Sequence, residues 1–257
     1  MLNLSFSLIN FKDFMALAAI VRPLILVCGI TFCSLLSAQE VRLTRAEGNC
    51  DQLIASLILT DIYKRAGLTL TVQPVPNARA TMMATSGMVD GEVARIDTYA
   101  ENNPPLQRVD PPYYYFTASA IAKSNRGIKI NSKEDLKKYR VGIVRGILYL
   151  KQMTMGVENL EIANGHDNLY KMLEKDRVDV IIDTRINSRY FIKKFDLKEM
   201  ELVGDLARFD NYNILTPANK NLAPKISATI KSLITSGDLV KLRKKYEEEF
   251  MASGIEP

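Results

Sequence analysis

The sequence predicts an α/β fold with largely parallel sheets, built as one α/β unit inserted into another. Three observations predict it. Short apolar runs alternate with helical segments along the chain after residue 38, the pattern of βαβ units. Two of those runs, Arg140–Val144 and Val178–Asp183, stop at a polar group where a helix should begin; in open α/β sheets ligands collect at such carboxyl ends. Two long β-prone runs, Tyr113–Lys123 and Arg208–Thr216, bracket a self-contained α/β segment, as two crossing strands acting as a hinge would. The expected organisation is a discontinuous first lobe, residues 39–117 and 215–257, with a second lobe, 118–214, inserted into it.

The elements follow in order. Val41–Arg45 reads as a strand. Asp51–Ala66 carries apolar residues at 53, 54, 57, 58 and 62, which is helical spacing, and Gly67 supplies its C-cap. Leu68–Val72 alternates as a second strand. Asn77–Ser86 reads as a shorter helix, capped by Asn77 and stopped by Gly87. Val89–Ile96 contains a third strand, and Asn102–Pro112 is a proline-rich loop before the first crossing run. Ser132-Lys133-Glu134-Asp135 has the form of a capping box. Strand Arg140–Val144, helix Ile147–Met155, strand Leu160–Ala163, helix Asp167–Lys175, strand Val178–Asp183, helix Ile186–Phe195 and strand Glu201–Val203 complete the inserted unit. After the second crossing run come helices Leu222–Thr235 and Gly237–Phe250, separated by the turn Ser236-Gly237-Asp238.

The N-terminus stands apart. Pro23–Ser37 is apolar and uncharged, preceded by Lys12 and Arg22 and followed by Ser37-Ala38-Gln39-Glu40. Residues 1–38 therefore read as a secretory signal peptide cut after Ala38, with Met15 as an alternative start and an uncleaved anchor as the competing reading. Removing it leaves one cysteine, Cys50, so the mature chain can form no internal disulfide. Packing as a small hydrophobe is the expectation for that thiol.

Charge narrows the partners. The formal net charge is +5 and the pI about 9.0, but basic residues are scattered among acidic ones. The densest cluster, Lys241-Leu242-Arg243-Lys244-Lys245, runs straight into Glu247-Glu248-Glu249. That is a solvated helix face rather than a nucleic-acid footprint. The one histidine, His166, opens a helix with no companion ligands nearby; no metal site or cofactor is expected, and a surface or capping role is. No Ser-His-Asp or Cys-His arrangement is readable, so an enzyme is not expected.

Five stretches in order carry a family likeness: Ser86-Gly87-Met88-Val89-Asp90-Gly91; Arg108-Val109-Asp110-Pro111-Pro112-Tyr113; Asn131–Leu136 with Arg140-Val141-Gly142-Ile143; Arg177-Val178-Asp179 leading to Asp183; and Ile226–Tyr246. In these the chain resembles the type II periplasmic solute-binding proteins, in the group with the amino-acid receptors of ABC importers. The resemblance implies two α/β lobes joined by two strands and closing on a ligand by a hinge motion. It also implies three contacts to an amino acid. Asp183 matches the aspartate that receives the α-ammonium group. The carboxylate-gripping arginine is replaced by Thr98-Tyr99-Ala100-Glu101, and the usual Gly-Thr or Gly-Ser by Gly146-Ile147. A standard amino acid held in the usual way is therefore not expected.

Other residues at predicted strand ends or helix starts fill the gap. Arg79, Arg95, Arg145 and Arg185 can grip a carboxylate or phosphate in two-pronged fashion, the first three being the leading candidates, and pairing with Glu47, Glu92, Asp97 or Asp183 is the competing role for any one of them. Glu47 stands at the mouth of the crevice, and Asn49 caps the next helix. Tyr115 or Tyr113 lines the cleft or packs against the hinge. The ligand-binding set is thus Arg79, Arg95, Arg145, Asp183, Glu47 and Tyr115, and the ligand a small anionic or zwitterionic molecule. The expected protein is a monomeric periplasmic receptor serving an inner-membrane ABC permease. A sensor module for a membrane signalling receptor is the alternative, and a cyclic-acid dehydratase on the same scaffold a third reading.

Overall fold

The computed structural model describes residues 39–257. The apolar stretch Pro23–Ser37, the cleavage site after Ala38 and the start at Met15 lie outside the described residues. The strands are β1 (Glu40–Ala46), β2 (Thr69–Val75), β3 (Gly91–Ile96), β4 (Gln107–Lys123), β5 (Val141–Val144), β6 (Leu160–Ala163), β7 (Val180–Thr184) and β8 (Met200–Leu215). Between and after them run helices α1 (Cys50–Arg65), α2 (Asn77–Thr85), α3 (Tyr99–Asn102), α4 (Leu148–Met153), α5 (His166–Glu174), α6 (Arg185–Lys194), α7 (Ala223–Thr235) and α8 (Asp238–Ser253).

All eight strands join one sheet in the order β2-β1-β3-β8-β4-β7-β5-β6. It consists of two parallel sets hung on one antiparallel pair. β1 runs parallel to β2 and β3, and β5 parallel to β6 and β7. β8 and β4 are the long shared strands. Gln107–Val109 pairs with Leu215–Asn213 beside β3, whereas Tyr114–Lys123 pairs with Asn211–Met200 beside β7. Each parallel set is covered by helices, as parallel strands require.

Helix α1 shows how the sequence drives this. Asn49 accepts the Gln52 N–H at 3.0 Å and caps it. Ile54, Ile58, Leu59, Ile62 and Tyr63 are fully buried, each apolar side chain contributing roughly 1.5–3 kcal/mol. Gly67, at φ +64°, turns the chain out of the helix.

The crossing strands differ from the sequence reading. The expected loop at Asn102–Pro112 is partly strand: β4 starts at Gln107, and Pro111-Pro112 fall within a register shift between Val109 and Tyr114. Proline has no N–H for a ladder, and a bulge asks for none. Likewise Glu201–Val203 and the run from Arg208 belong to one strand, β8, which runs on through Gly204 and ends at Leu215. That glycine is needed there because a Cβ would stand 1.8 Å from the Ile130 carbonyl oxygen. Where the strands cross, Phe116, Tyr149 and Phe209 pack with ring centroids 4.8, 5.0 and 5.3 Å apart.

Candidate functional site

The carboxyl ends of the two parallel sets meet across a seam. The loop after β1 leads into α1, where the Cys50 N–H donates to Asn187 Oδ1 at 2.9 Å. Beside it Thr184 Oγ1 donates to Asp51 Oδ2. Thr184 closes β7 and Asn187 lies in the first turn of α6. The loop after β2 leads into α2, where Asn77 Nδ2 donates to the Gly146 carbonyl, just after β5, at 2.9 Å. Thus the ends of β1 and β2 face the ends of β7 and β5, and the seam between them is the candidate site.

Asp183 is almost wholly enclosed, 1% exposed. Its Oδ2 takes His166 Nδ1 at 2.9 Å and the Tyr170 hydroxyl at 3.3 Å, and its Oδ1 takes the Thr184 N–H at 2.8 Å and Asn187 Nδ2 at 2.7 Å. Four donors fill the acceptor capacity of a carboxylate. His166 is correspondingly buried, which corrects the expectation of a surface or purely capping residue. Burial alone would lower its pKa, but the adjoining Asp183 outweighs that and the imidazole's pKa is raised.

Asp51, the neighbouring buried acid, is held by the Tyr114 hydroxyl at 2.8 Å and by Thr184. Burial, the largest influence, pushes its pKa up to about 6 against the pull of those two hydrogen bonds. Cys50 is fully buried and free, and burial pushes its thiol up as well, as suits a packed rather than a reactive cysteine.

The arginines divide. Arg95 sits over the Tyr99 ring at 4.7 Å, donates to the buried Glu92 through Nε at 2.6 Å, and donates through Nη1 to Asn77 Oδ1. It therefore both neutralises Glu92 and orients the asparagine that reaches Gly146. Asn77 is not the N-cap of α2; Pro76 holds that position, and the asparagine side chain is used across the seam instead. Arg79 is exposed on the first turn of α2. Arg145 is exposed at the end of β5, its Nε 3.2 Å from Asn164 Oδ1. Glu47 is exposed at the end of β1, and its N–H donates to the Val75 carbonyl at 3.0 Å.

The seam thus gathers Glu47, Arg95, Arg145 and Asp183, with Arg79 beside them on α2. Tyr115 is engaged elsewhere: its ring is sandwiched by Arg208 at 3.6 Å and Arg243 at 3.4 Å. Sequence reasoning missed Asn77, Asn187 and the role of His166. The spacing held the signal for two of them. Asn187 lies four residues after Asp183, and His166 and Tyr170, four apart at a helix start, share one face.

No family model matches the chain. An uncharacterised protein of Shewanella oneidensis is 26% identical over 206 residues, covering 77% of this chain and 76% of that protein. The arginine-binding extracellular protein ArtP of Bacillus subtilis is 26% identical over 193 residues, 72% of this chain and 73% of ArtP. Among solved structures, an ancestral arginine-binding protein bound to arginine superposes with a TM-score of 0.67 at 18% identity, covering 80% of this chain and 97% of that one. A histidine kinase sensor domain with similarity to periplasmic binding proteins gives 0.68 at 16% identity, with 81% and 96% covered. With two parallel strand sets on one antiparallel pair, the chain has the two-lobe fold of the type II periplasmic binding proteins.

Proposed function

We propose that the chain is an extracytoplasmic receptor that closes two lobes, residues 39–117 with 215–257 and residues 118–214, on a small anionic or zwitterionic solute. The observation that carries this reading is the seam itself. Strand-end loops of both parallel sets meet through a few hydrogen bonds, Asn77 to Gly146, Cys50 to Asn187 and Thr184 to Asp51, which a hinge motion about β4 and β8 can break and remake. Exposed Arg79 and Arg145 on opposite sides of that seam supply guanidinium forks for an anion. The four donors already on Asp183 favour a ligand whose main charge is negative, because an ammonium group would have to displace one of them. Among the described residues no helix is long and apolar enough to cross a membrane.

Delivery to an ABC permease is the reading supported by likeness to the substrate binding protein of an amino acid ABC transporter, at 18% identity and a TM-score of 0.64. Likeness to a histidine kinase sensor domain supports a signalling role instead. A permease gene beside this one favours the first, and a sensor gene the second. Binding is tested by a thermal-shift screen of amino acids, carboxylic acids and phosphorylated metabolites, followed by solution scattering with the best hit. A saturable rise in melting temperature with a fall in radius of gyration is expected; a screen in which no compound raises the melting temperature sinks the proposal.

A further inference from the structure

A second cluster of guanidinium groups lies beside the seam, with Asp51 common to both. Between α6, α8, the crossing strand β4 and the first turn of α1 is a cavity of about 190 Å³. Its lining includes Asp51, Phe116, Arg185, Arg189, Arg243 and Glu247. Three arginines thus line one small space, two from α6 and one from α8.

Two of the three are partly engaged. Arg185 forms an ion pair with Asp205 through Nε at 2.9 Å and through Nη2. Arg243 donates through Nε to Glu247 Oε1 at 2.6 Å while its guanidinium plane lies on the Tyr115 ring. These contacts fix the two forks without using them up. Arg243 Nη1 is buried and has no acceptor among the described residues. A buried guanidinium N–H without an acceptor is costly and calls for an occupant. Arg189 is exposed at the rim and pairs with no described carboxylate.

We infer that this cavity is a second binding site, for a small oxyanion held by Arg243 and Arg189 with Arg185 at its edge. A cavity of about 150 Å³ accommodates a benzene-sized guest, so this one has room for phosphate, sulfate or a short dicarboxylate. Guanidinium forks suit those groups geometrically. The lining comes from α1 and α8 on one side of the crossing strands and α6 on the other, so the occupant ties together elements that flank the hinge. The inference stands independently of what the seam binds.

The test titrates sodium sulfate, sodium phosphate and sodium succinate into the purified protein, with sodium chloride at matched ionic strength as control, by thermal shift and calorimetry. A saturable rise beyond the chloride control is expected for at least one of the three. The strongest identifies whether the site takes an inorganic anion or a carboxylate. R189Q changes an exposed residue and should fold normally, judged by its circular dichroism and by its melting temperature in chloride. It is expected to weaken binding at least tenfold, and R243K, which keeps the charge but loses the fork, to weaken it as well. R145Q, which alters the seam, should leave this binding intact. A response equal to that of chloride, one unchanged in R189Q, or one abolished by R145Q overturns the inference.

Discussion

His166 Nδ1 lies 2.9 Å from Asp183 Oδ2, with both side chains buried. The pair stands where β7 ends and α5 begins, and Tyr170, Thr184 and Asn187 complete the shell around the carboxylate. Removing one partner of a buried, hydrogen-bonded charge pair leaves the other unpaired, at about 3–5 kcal/mol. Asp183→Ala is therefore expected to lower unfolding free energy by that amount in urea titrations. His166→Gln, which keeps a donor for Asp183, should cost less. Equal and small losses in both variants would show that the network contributes little.

The same cluster sets a pH dependence. Folding raises the pKa of Asp51 from the ordinary 3.8 to about 6. The native state thus holds a proton that the unfolded chain has released, and stability falls as pH rises through that window, by roughly 3 kcal/mol in all. His166 acts in the same direction. Its raised pKa contributes stability that is present below the ordinary 6.5 and lost as pH climbs through the folded value. At the acid end, Asp176, Asp179 and Asp205, held below the usual carboxylate range by hydrogen bonds from Lys123, Arg140 and Arg185, oppose this by protonating. Maximum stability is expected near pH 4, where the two trends cross. Asp51→Asn, which imitates the protonated acid, should flatten the decline between about pH 4 and 6 and leave the decline above pH 6.5 to His166. Melting curves of the two proteins from pH 4 to 8 decide it; a parallel decline in the variant below pH 6 removes Asp51 as the cause.

Much of this architecture was legible in the sequence because apolar periodicity records burial. α1, β5 and β7 stand within a residue or two of where the spacing puts them. The crossing strands were less legible. Pro111-Pro112 fell in an expected loop and the runs on either side of Gly204 read as separate strands, whereas the sheet absorbs the prolines in a register shift and uses Gly204 for a close backbone approach. Arg95, Arg145 and Asp183, which stand at or beside the ends of β3, β5 and β7, were legible as polar chemistry at strand ends. Their partners were not, since Asn77 with Gly146 and Cys50 with Asn187 lie far apart in the chain and no local pattern encodes such a contact. Arg243 reads locally as part of a solvated charge run; only the fold brings it to Tyr115 and a cavity.

Gly91 opens β3 against the end of β8. A Cβ there would lie 1.9 Å from the Ile214 carbonyl oxygen and 2.9 Å from its carbon. The obstacle is backbone in mid-sheet, so no side chain can swing aside. Gly91→Ala is expected to destabilise by more than about 3 kcal/mol, at the upper end of single substitutions, and to reduce soluble yield. Chemical denaturation of Gly91→Ala beside Gly87→Ala provides the comparison. A Cβ at Gly87 meets nothing within 4 Å, though its φ of +74° still strains alanine, so the Gly87 variant should lose only about 1 kcal/mol. Comparable losses would show that strand spacing relaxes around residue 91.

Asn77 offers the most direct test of the seam as a moving part. Its Nδ2 reaches the Gly146 carbonyl at 2.9 Å, and its Oδ1 accepts from Arg95. Both bonds are lost in Asn77→Ala, yet the residue sits on the first turn of α2, where alanine is well tolerated. One solvent-accessible hydrogen bond is worth about 1 kcal/mol, enough to shift an open–closed equilibrium roughly fivefold toward the open form. The variant should show a larger radius of gyration in solution scattering without ligand. It should also bind the best hit from the thermal-shift screen about fivefold more weakly, since that ligand must now supply the closing energy the asparagine provided. Unchanged dimensions together with unchanged affinity would mean that the Asn77–Gly146 contact does not hold the two strand-end edges together, and closure would then have to rest on the Cys50–Asn187 and Asp51–Thr184 contacts alone.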